Sequence, residues 1–273
     1  MPGSGPDEKM QVWKGSRNMK PLEIKHRVIG GGEPLICVPV VEQDAQSVIR
    51  EITYLSQSTA DMIEWRVDAF SDFTDYNAIR SVFEAVAPLL GEKLFLYTFR
   101  TAHQGGMAQV KAEQLDDLHD LAAESGCVDL VDLEFFEEDR PLHKIKRLRE
   151  MGVSVIASHH DFEQTPSPEV MKMLLEKMCA GGADIVKLAV MPQNYKDVLN
   201  LLDVTAQFRE ENPDTPVITM SMGSLGGISR ISGETFGSCV TFGAHEKPSA
   251  PGQFAMKELR QMLDTIHASS QIQ

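Results

Sequence analysis

The chain has 273 residues, 42% of them hydrophobic and 24% charged, a composition that supplies a sizeable core and excludes a largely disordered protein. Lys and Arg number 26 against 40 Asp and Glu, a net charge of −14, which argues against a surface built to neutralise nucleic-acid phosphates or to dock on anionic lipid. Length alone admits two domains or one large barrel.

Residues 1–18, MPGSGPDEKMQVWKGSRN, mix Gly, Pro, Ser and charge without periodicity and are expected to be a disordered leader or an expression remnant. That leaves 19–273 as a single domain. The segment KPLEIKHRVIGGGEP alternates in character and ends in three glycines, so a hairpin with a triple-Gly turn is expected there, covering one end of the domain. Strand-like runs follow at 35–40, 62–68, 93–100, 129–135, 154–161, 184–190, 216–222 and 239–245. Between them lie amphipathic stretches with helical spacing, the clearest at 45–57, 108–125 and 168–180, with another at 254–268 after the last strand. The element between the last two strands is poorly patterned and expected to be short. Eightfold alternation of strand and helix predicts a closed (β/α)₈ barrel, with a doubly wound open sheet as the alternative.

No run approaches the ~18 apolar residues of a membrane helix, and residues 1–20 have no apolar segment behind their charges. Cys37, Cys127, Cys179 and Cys239 form no C-x-x-C pair and no zinc-finger spacing, so they read as small buried side chains in a reducing compartment. A cytoplasmic protein with no membrane or nucleic-acid partner is expected.

In a (β/α)₈ barrel the site lies at the carboxyl ends of the strands, where this sequence is rich in charge. In MIEWRVD a period of two puts Glu64, Arg66 and Asp68 on one face. Arg100, Asp132, Glu134, the His159-His160 pair and Lys187 end other strands. One buried ion pair reads as structural, but charge on five strand ends is better explained by a polar pocket, because each buried charge costs several kcal/mol unless paired or used. Lys187 shares a face with Ile185 and Ala189, which sends its ammonium into the barrel, and an enclosed lysine is a candidate for Schiff-base chemistry. The competing reading is a salt bridge to Asp132 or Glu134. Adjacent on a strand, His159 and His160 point to opposite faces and cannot ligate one metal together, whereas either could move protons in the pocket. After the seventh strand, MGSLGGISR can present backbone N–H groups and Arg230 to an anion, a weak signal alone. HEKPSAPGQF is expected to be a loop over the mouth or a plain connection.

Taken in order, EWRVD, TFRTA with Gly105-Gly106, SHHDF, VKLAVMP, SMGSLGGISR and SAPGQ resemble the type I 3-dehydroquinate dehydratases of the shikimate pathway, over residues 20–268. The resemblance implies a cytoplasmic homodimeric barrel that acts on 3-dehydroquinate with no metal and no organic cofactor. It implies that Lys187 forms an imine with the substrate and that His160 is the general acid/base. Arg230 is implied to clamp the substrate carboxylate, Ser249 and Gln253 to belong to a closing loop, Glu64, Arg66 and Arg100 to meet substrate hydroxyls and their network, and Met222 to form a wall. One position departs: in RTA-x-x-GG the family usually places glutamate where this chain has Gln104, a residue implied to orient the histidine. Another Schiff-base barrel such as a class I aldolase, or an impaired barrel acting as a binding protein, stays open beside the dehydratase reading.

Overall fold

The computed structural model describes residues 22–271, so the leader expected at 1–18 lies outside the described residues. Eight parallel strands form the barrel: β3 (Leu35–Val40), β4 (Met62–Arg66), β5 (Leu94–Thr98), β6 (Leu130–Glu134), β7 (Ser154–Asp161), β8 (Ile185–Val190), β9 (Val217–Ser221) and β10 (Val240–Phe242). Their lateral order is β10-β3-β4-β5-β6-β7-β8-β9. At the remaining seam the ladder is reduced to a bridge between Val217 and Ser238, with Cys239 N–H donating to the Val217 carbonyl at 2.8 Å. The Ser238 hydroxyl completes the seam, accepting from Thr219 N–H at 3.0 Å. The sheet thus closes although β10 is only three residues long.

Helices α1 (Ala45–Ser56), α2 (Tyr76–Val86), α3 (Ala112–Glu124), α4 (Pro141–Glu150), α5 (Pro168–Ala180), α6 (Tyr195–Glu211) and α9 (Met256–Ser270) surround the sheet. Two short pieces, α7 (Gly227–Ile231) and α8 (Gly233–Phe236), stand between β9 and β10, as the poor patterning there suggested. Helix α5 begins where the sequence predicts, with the Ser167 hydroxyl accepting from Val170 N–H and Pro168 in the first turn. Helix α3 starts at Ala112 rather than 108, and β4 stops at Arg66, after which Val67–Ala69 turn as a 3₁₀ segment.

Strand parity separates two cores. Ile63, Trp65, Phe95, Tyr97, Val131 and Leu133 face outward under the helices. Cys37, Met62, Leu94, Leu96, Leu130, Ile156, Ile185 and Ile218 face inward and fill the lower interior. Farther along the same strands the inward positions become Glu64, Thr98, Asp132, Ser158 and Lys187, all buried. An apolar floor therefore carries a polar upper layer.

The hairpin precedes the barrel as expected, pairing β1 (Leu22–Ile24) with β2 (Arg27–Ile29), but its turn is not the triple glycine. Lys25 and His26 make the turn, with φ of 47° and 63°, and Gly30–Gly32 connect the hairpin to β3. A left-handed conformation costs roughly 1–2 kcal/mol at a non-glycine residue. It is offset because this turn sends Lys25 to Asp129 at 2.7 Å and the next strand sends Arg27 to Asp61 at 2.7 Å, seating fully buried Ile29 in the inner core. Replacing Ile29 by alanine should cost about 2–4 kcal/mol in denaturant unfolding. The polar layer should keep its structure, because this floor lies at the opposite end of the barrel interior.

Candidate active site

The polar layer is organised by the Asp132 carboxylate on β6. It accepts from Lys187 Nζ on β8 at 3.1 Å and from the Ser158 hydroxyl on β7 at 2.5 Å, and pairs with Arg100 Nη2 at 2.9 Å. Burial alone would raise its pKa, but Arg100 and Lys187 hold it down to about 2. Arg100, which follows β5, also reaches Glu134 at 3.0 Å, and Glu134 accepts from the N–H and hydroxyl of Thr101. The Lys187 ammonium sits 4.5 Å from the centre of the Phe242 ring on β10. Both the interior placement of Lys187 and its salt bridge to Asp132 are therefore present together.

On β4, Glu64 accepts from the Thr98 hydroxyl at 2.8 Å, and Arg66 makes a two-pronged pair with Asp68, both contacts at 2.8 Å. Burial works against the Arg66 charge, yet Asp68 raises its pKa above the usual guanidinium value. Asp68 lies in the 3₁₀ turn and not on the strand, so its place beside Arg66 comes from the turn rather than from strand parity.

Of the two adjacent histidines, His159 packs its ring edge-on against Phe136, while His160 faces the interior. Gln104, buried in the short 3₁₀ segment Ala102–Gln104, places its Oε1 2.9 Å from the His160 backbone N–H and 3.1 Å from His160 Nδ1. The backbone donor fixes which end of the amide is oxygen. That oxygen can only accept, so Nδ1 carries the imidazole proton and Nε2 keeps its lone pair. Burial, followed by the charges of Arg100, Lys187 and Arg66 and the neighbouring His159, pushes the His160 imidazole well below its ordinary range. This favours the neutral form of the ring.

The glycine turn after β9 is tight. A Cβ on Gly226 would come within 1.9 Å of the Ser221 carbonyl oxygen, and one on Gly252 within 2.3 Å of the Gly223 carbonyl oxygen. Residues 249–253 therefore lie flush against that turn. Gln253 Oε1 accepts from Ser249 N–H at 2.8 Å and its Nε2 donates to the Ser249 hydroxyl at 3.0 Å, which gives the segment its own fold.

Glu64, Arg66, Arg100, Gln104, His160, Lys187, Met222, Ser249 and Gln253, all expected from sequence, line one cavity. Arg230 does not line it. Arg230 lies on α7, buried, and donates to the Pro251 carbonyl at 3.0 Å, while its Nε and Nη1 have no hydrogen-bond partner among the described residues. Burial pushes its guanidinium down to about 10. No carboxylate pairs with it among the described residues, in contrast to Arg66, Arg100 and Lys187. Sequence reasoning missed Phe162 and Phe242, which also line the cavity. Their signals were weak: Phe162 directly follows His160-Asp161, and Phe242 shares inward parity with Val240.

These features define a (β/α)₈ barrel with a highly charged cavity at the carboxyl ends of its strands. The model of the type I 3-dehydroquinase family matches residues 36–270. Curated relatives named 3-dehydroquinate dehydratase are 41% identical over 250 residues in Syntrophotalea carbinolica and 42% in Listeria monocytogenes serotype 4a, each covering 91% of this chain and 99% of the relative. The solved type I 3-dehydroquinate dehydratase from Clostridium difficile, described with covalent modified comenic acid, superposes with a TM-score of 0.88 at 38% identity, over 92% of this chain and 99% of that one. The 3-dehydroquinate dehydratase of Geobacillus kaustophilus gives the same TM-score at 35% identity, over 91% and 97%. The chain belongs to the type I 3-dehydroquinase family.

The contact between Gln104 and His160 is open to a direct test. A carboxylate in place of the amide would favour the imidazolium, so Gln104→Glu should raise the His160 pKa. A proton-NMR titration of the imidazole resonances in both forms measures this. Coincident titration curves would show that residue 104 does not act on the ring.

Proposed function

We propose that the chain is a 3-dehydroquinate dehydratase of the shikimate pathway, a hydro-lyase that converts 3-dehydroquinate to 3-dehydroshikimate and water through an imine on Lys187, with His160 as general acid and base. One observation carries this reading: the cavity combines an interior lysine with a histidine whose Nε2 lone pair is free. The names of the relatives supply the substrate.

The chemistry follows from the residues. Attack requires the neutral amine, so Lys187 first gives up a proton, for which neutral His160 is an acceptor. Nζ then adds to the C3 ketone, and the carbinolamine hydroxyl leaves as water with the proton that His160 had taken, which leaves a protonated imine and a neutral His160. Its positive charge replaces that of the ammonium beside Asp132, and Arg100 keeps that carboxylate paired through the neutral amine and enamine stages. The imine withdraws electrons from the C2–H bond, His160 takes that proton, and the electron pair forms an enamine. Collapse of the enamine expels the C1 hydroxyl, which leaves as water with a proton from His160. Water then adds to the product imine and releases 3-dehydroshikimate and free Lys187.

Binding falls to the surrounding groups. Arg230, buried and without a carboxylate partner among the described residues, is suited to the substrate carboxylate, brought to it by the turn of Ser249 and Gln253. Glu64, Arg66 and Arg100 offer polar groups to the ring hydroxyls, and Met222 supplies an apolar wall. Gln104 sets the tautomer of His160. The reading takes the enzyme as one barrel domain, cytoplasmic and homodimeric, working without metal or organic cofactor. Among the described residues no helix is long and apolar enough to cross a membrane.

Borohydride trapping tests the whole scheme. With 3-dehydroquinate present, reduction should add the mass of the reduced adduct to Lys187. Labelling by a sugar-derived ketone instead would indicate an aldolase, and labelling by neither a binding protein. Lys187→Ala should abolish the adduct and cut turnover at least ~10³-fold, as measured by product absorbance, because proximity alone does not replace covalent catalysis. Arg230→Ala should weaken kcat/KM by roughly 2–5 kcal/mol while leaving the adduct detectable at high substrate. Unchanged kinetics in that variant would place the carboxylate elsewhere.

A further inference from the structure

The 3₁₀ turn after β4 carries an acid with more bonds than an ion pair needs. Asp68 is 3% exposed, and its two oxygens are fully subscribed. Oδ1 accepts from Arg66 Nε at 2.8 Å and from Arg100 N–H at 3.2 Å. Oδ2 accepts from Arg66 Nη2 at 2.8 Å and from Met107 N–H at 3.0 Å. An ionised carboxylate offers about four acceptor positions, and all four are used here.

Two of these bonds go to the opposite ends of one loop. Residues 100–107 leave β5, turn through Gln104 and return, with Gly106 N–H donating to the Thr101 carbonyl at 2.8 Å. The loop has little freedom in its middle: Gly105 has φ of 82°, a Cβ there would strike the Phe162 ring at 2.5 Å, and a Cβ on Gly106 would lie 1.8 Å from the Arg100 carbonyl oxygen. Phe162 in turn stacks parallel to His160, with ring centres 6.4 Å apart. A shift of this loop therefore reaches His160 by two routes, through the Gln104 oxygen and through the Phe162 ring. Glu134 anchors the loop at Thr101, and among the described residues Asp68 alone supplies a carboxylate at its Met107 end.

We propose that Asp68 is a positioning residue for the reaction, one that fixes Arg66 with one edge and clamps the 100–107 loop with the other, so that the geometry of Arg66 on β4 and of His160 on β7 are set together. This rests on the reading of His160 as the acid/base group. Asparagine could not substitute, because its amide nitrogen would face a second donor where Asp68 has an acceptor. The charged groups bearing on His160 are Arg66 from β4, Arg100 after β5, Lys187 from β8 and His159 on its own strand. Asp68 holds the first by its side chain and the second by its backbone.

Two variants separate the arms of the clamp. Asp68→Asn disturbs both, and should raise the KM for 3-dehydroquinate and lower kcat at least ~10-fold. Met107→Pro removes the loop N–H and stiffens the loop at Met107, a residue 63% exposed, while leaving the Arg66–Asp68 pair in place. It should lower kcat with KM unchanged. It should also move the acid limb of the kcat–pH profile to higher pH, because burial is the largest influence depressing His160 and a loosened loop admits water. A purely structural acid would lower the melting temperature and leave that limb in place. Borohydride trapping on Lys187 should persist in both variants. If trapping persists and both variants keep the parent kcat and pH limb, the positioning role is wrong and the dehydratase reading stands. If the parent chain itself is not trapped by 3-dehydroquinate, the dehydratase reading falls first.

Discussion

The upper half of the barrel depends on one constraint, that the carboxylate of Asp132 is buried and must be matched. Three partners from three directions satisfy it, Lys187, Arg100 and Ser158. Removing any cation would leave charge stranded at low dielectric, so the pairs hold the strand ends in register as well as the side chains in place. Arg100 extends the network to Glu134, and Glu134 extends it to Thr101 and the loop beyond. Because its partners hold Asp132 down to about 2, below its ordinary value, the stabilisation is fully present above the usual carboxylate pKa and is lost progressively as the pH falls from there through about 2.

The same accounting sets Arg230 apart. The other buried cations are matched within the cavity wall, whereas Arg230 is held only by a carbonyl of the 249–253 turn, with two nitrogens unpartnered among the described residues. A guanidinium depressed to about 10 by burial alone gains more than an exposed one when an anion arrives. Since its one bond is to Pro251, anion binding and the position of that turn are mechanically linked. On the proposed reading, this bond lets a residue outside the cavity lining take part in closing it.

Much of this arrangement was legible in the sequence because parity is a strong constraint on a closed sheet. Alternation alone puts Glu64, Arg66, Lys187 and one of the two histidines inside, and the eightfold strand and helix alternation supplies the barrel. What was not legible belongs to backbone conformations without a compositional signal. Lys25 and His26 adopt left-handed φ in a hairpin turn that usually favours Asn-Gly, because tertiary ion pairs override local preference. The end of β4 at Arg66 was hidden because Val67 and Asp68 continue the apolar and polar alternation through a 3₁₀ turn. Phe242 was missed because an aromatic in a strand reads as core, and only the closed barrel shows it facing the Lys187 ammonium.

Gln104 is the point where local chemistry and family pattern diverge, and the difference has a direction. A glutamate at this position, which the sequence resemblance implies for the family, would accept from the same Nδ1–H and would also stabilise the imidazolium. The amide keeps the first effect and lacks the second. His160, already depressed by burial and three nearby cations, therefore becomes a weaker base and, once protonated, a stronger acid. On the proposed reading these two properties serve different steps: abstraction at C2 needs the base, and departure of the C1 hydroxyl needs the acid. A neutral residue at 104 trades rate in the first for rate in the second. The exchange is tolerable because the protonated imine on Lys187 already acidifies C2–H, whereas the departing hydroxyl, though pushed by the enamine, becomes a good leaving group only with the proton it receives.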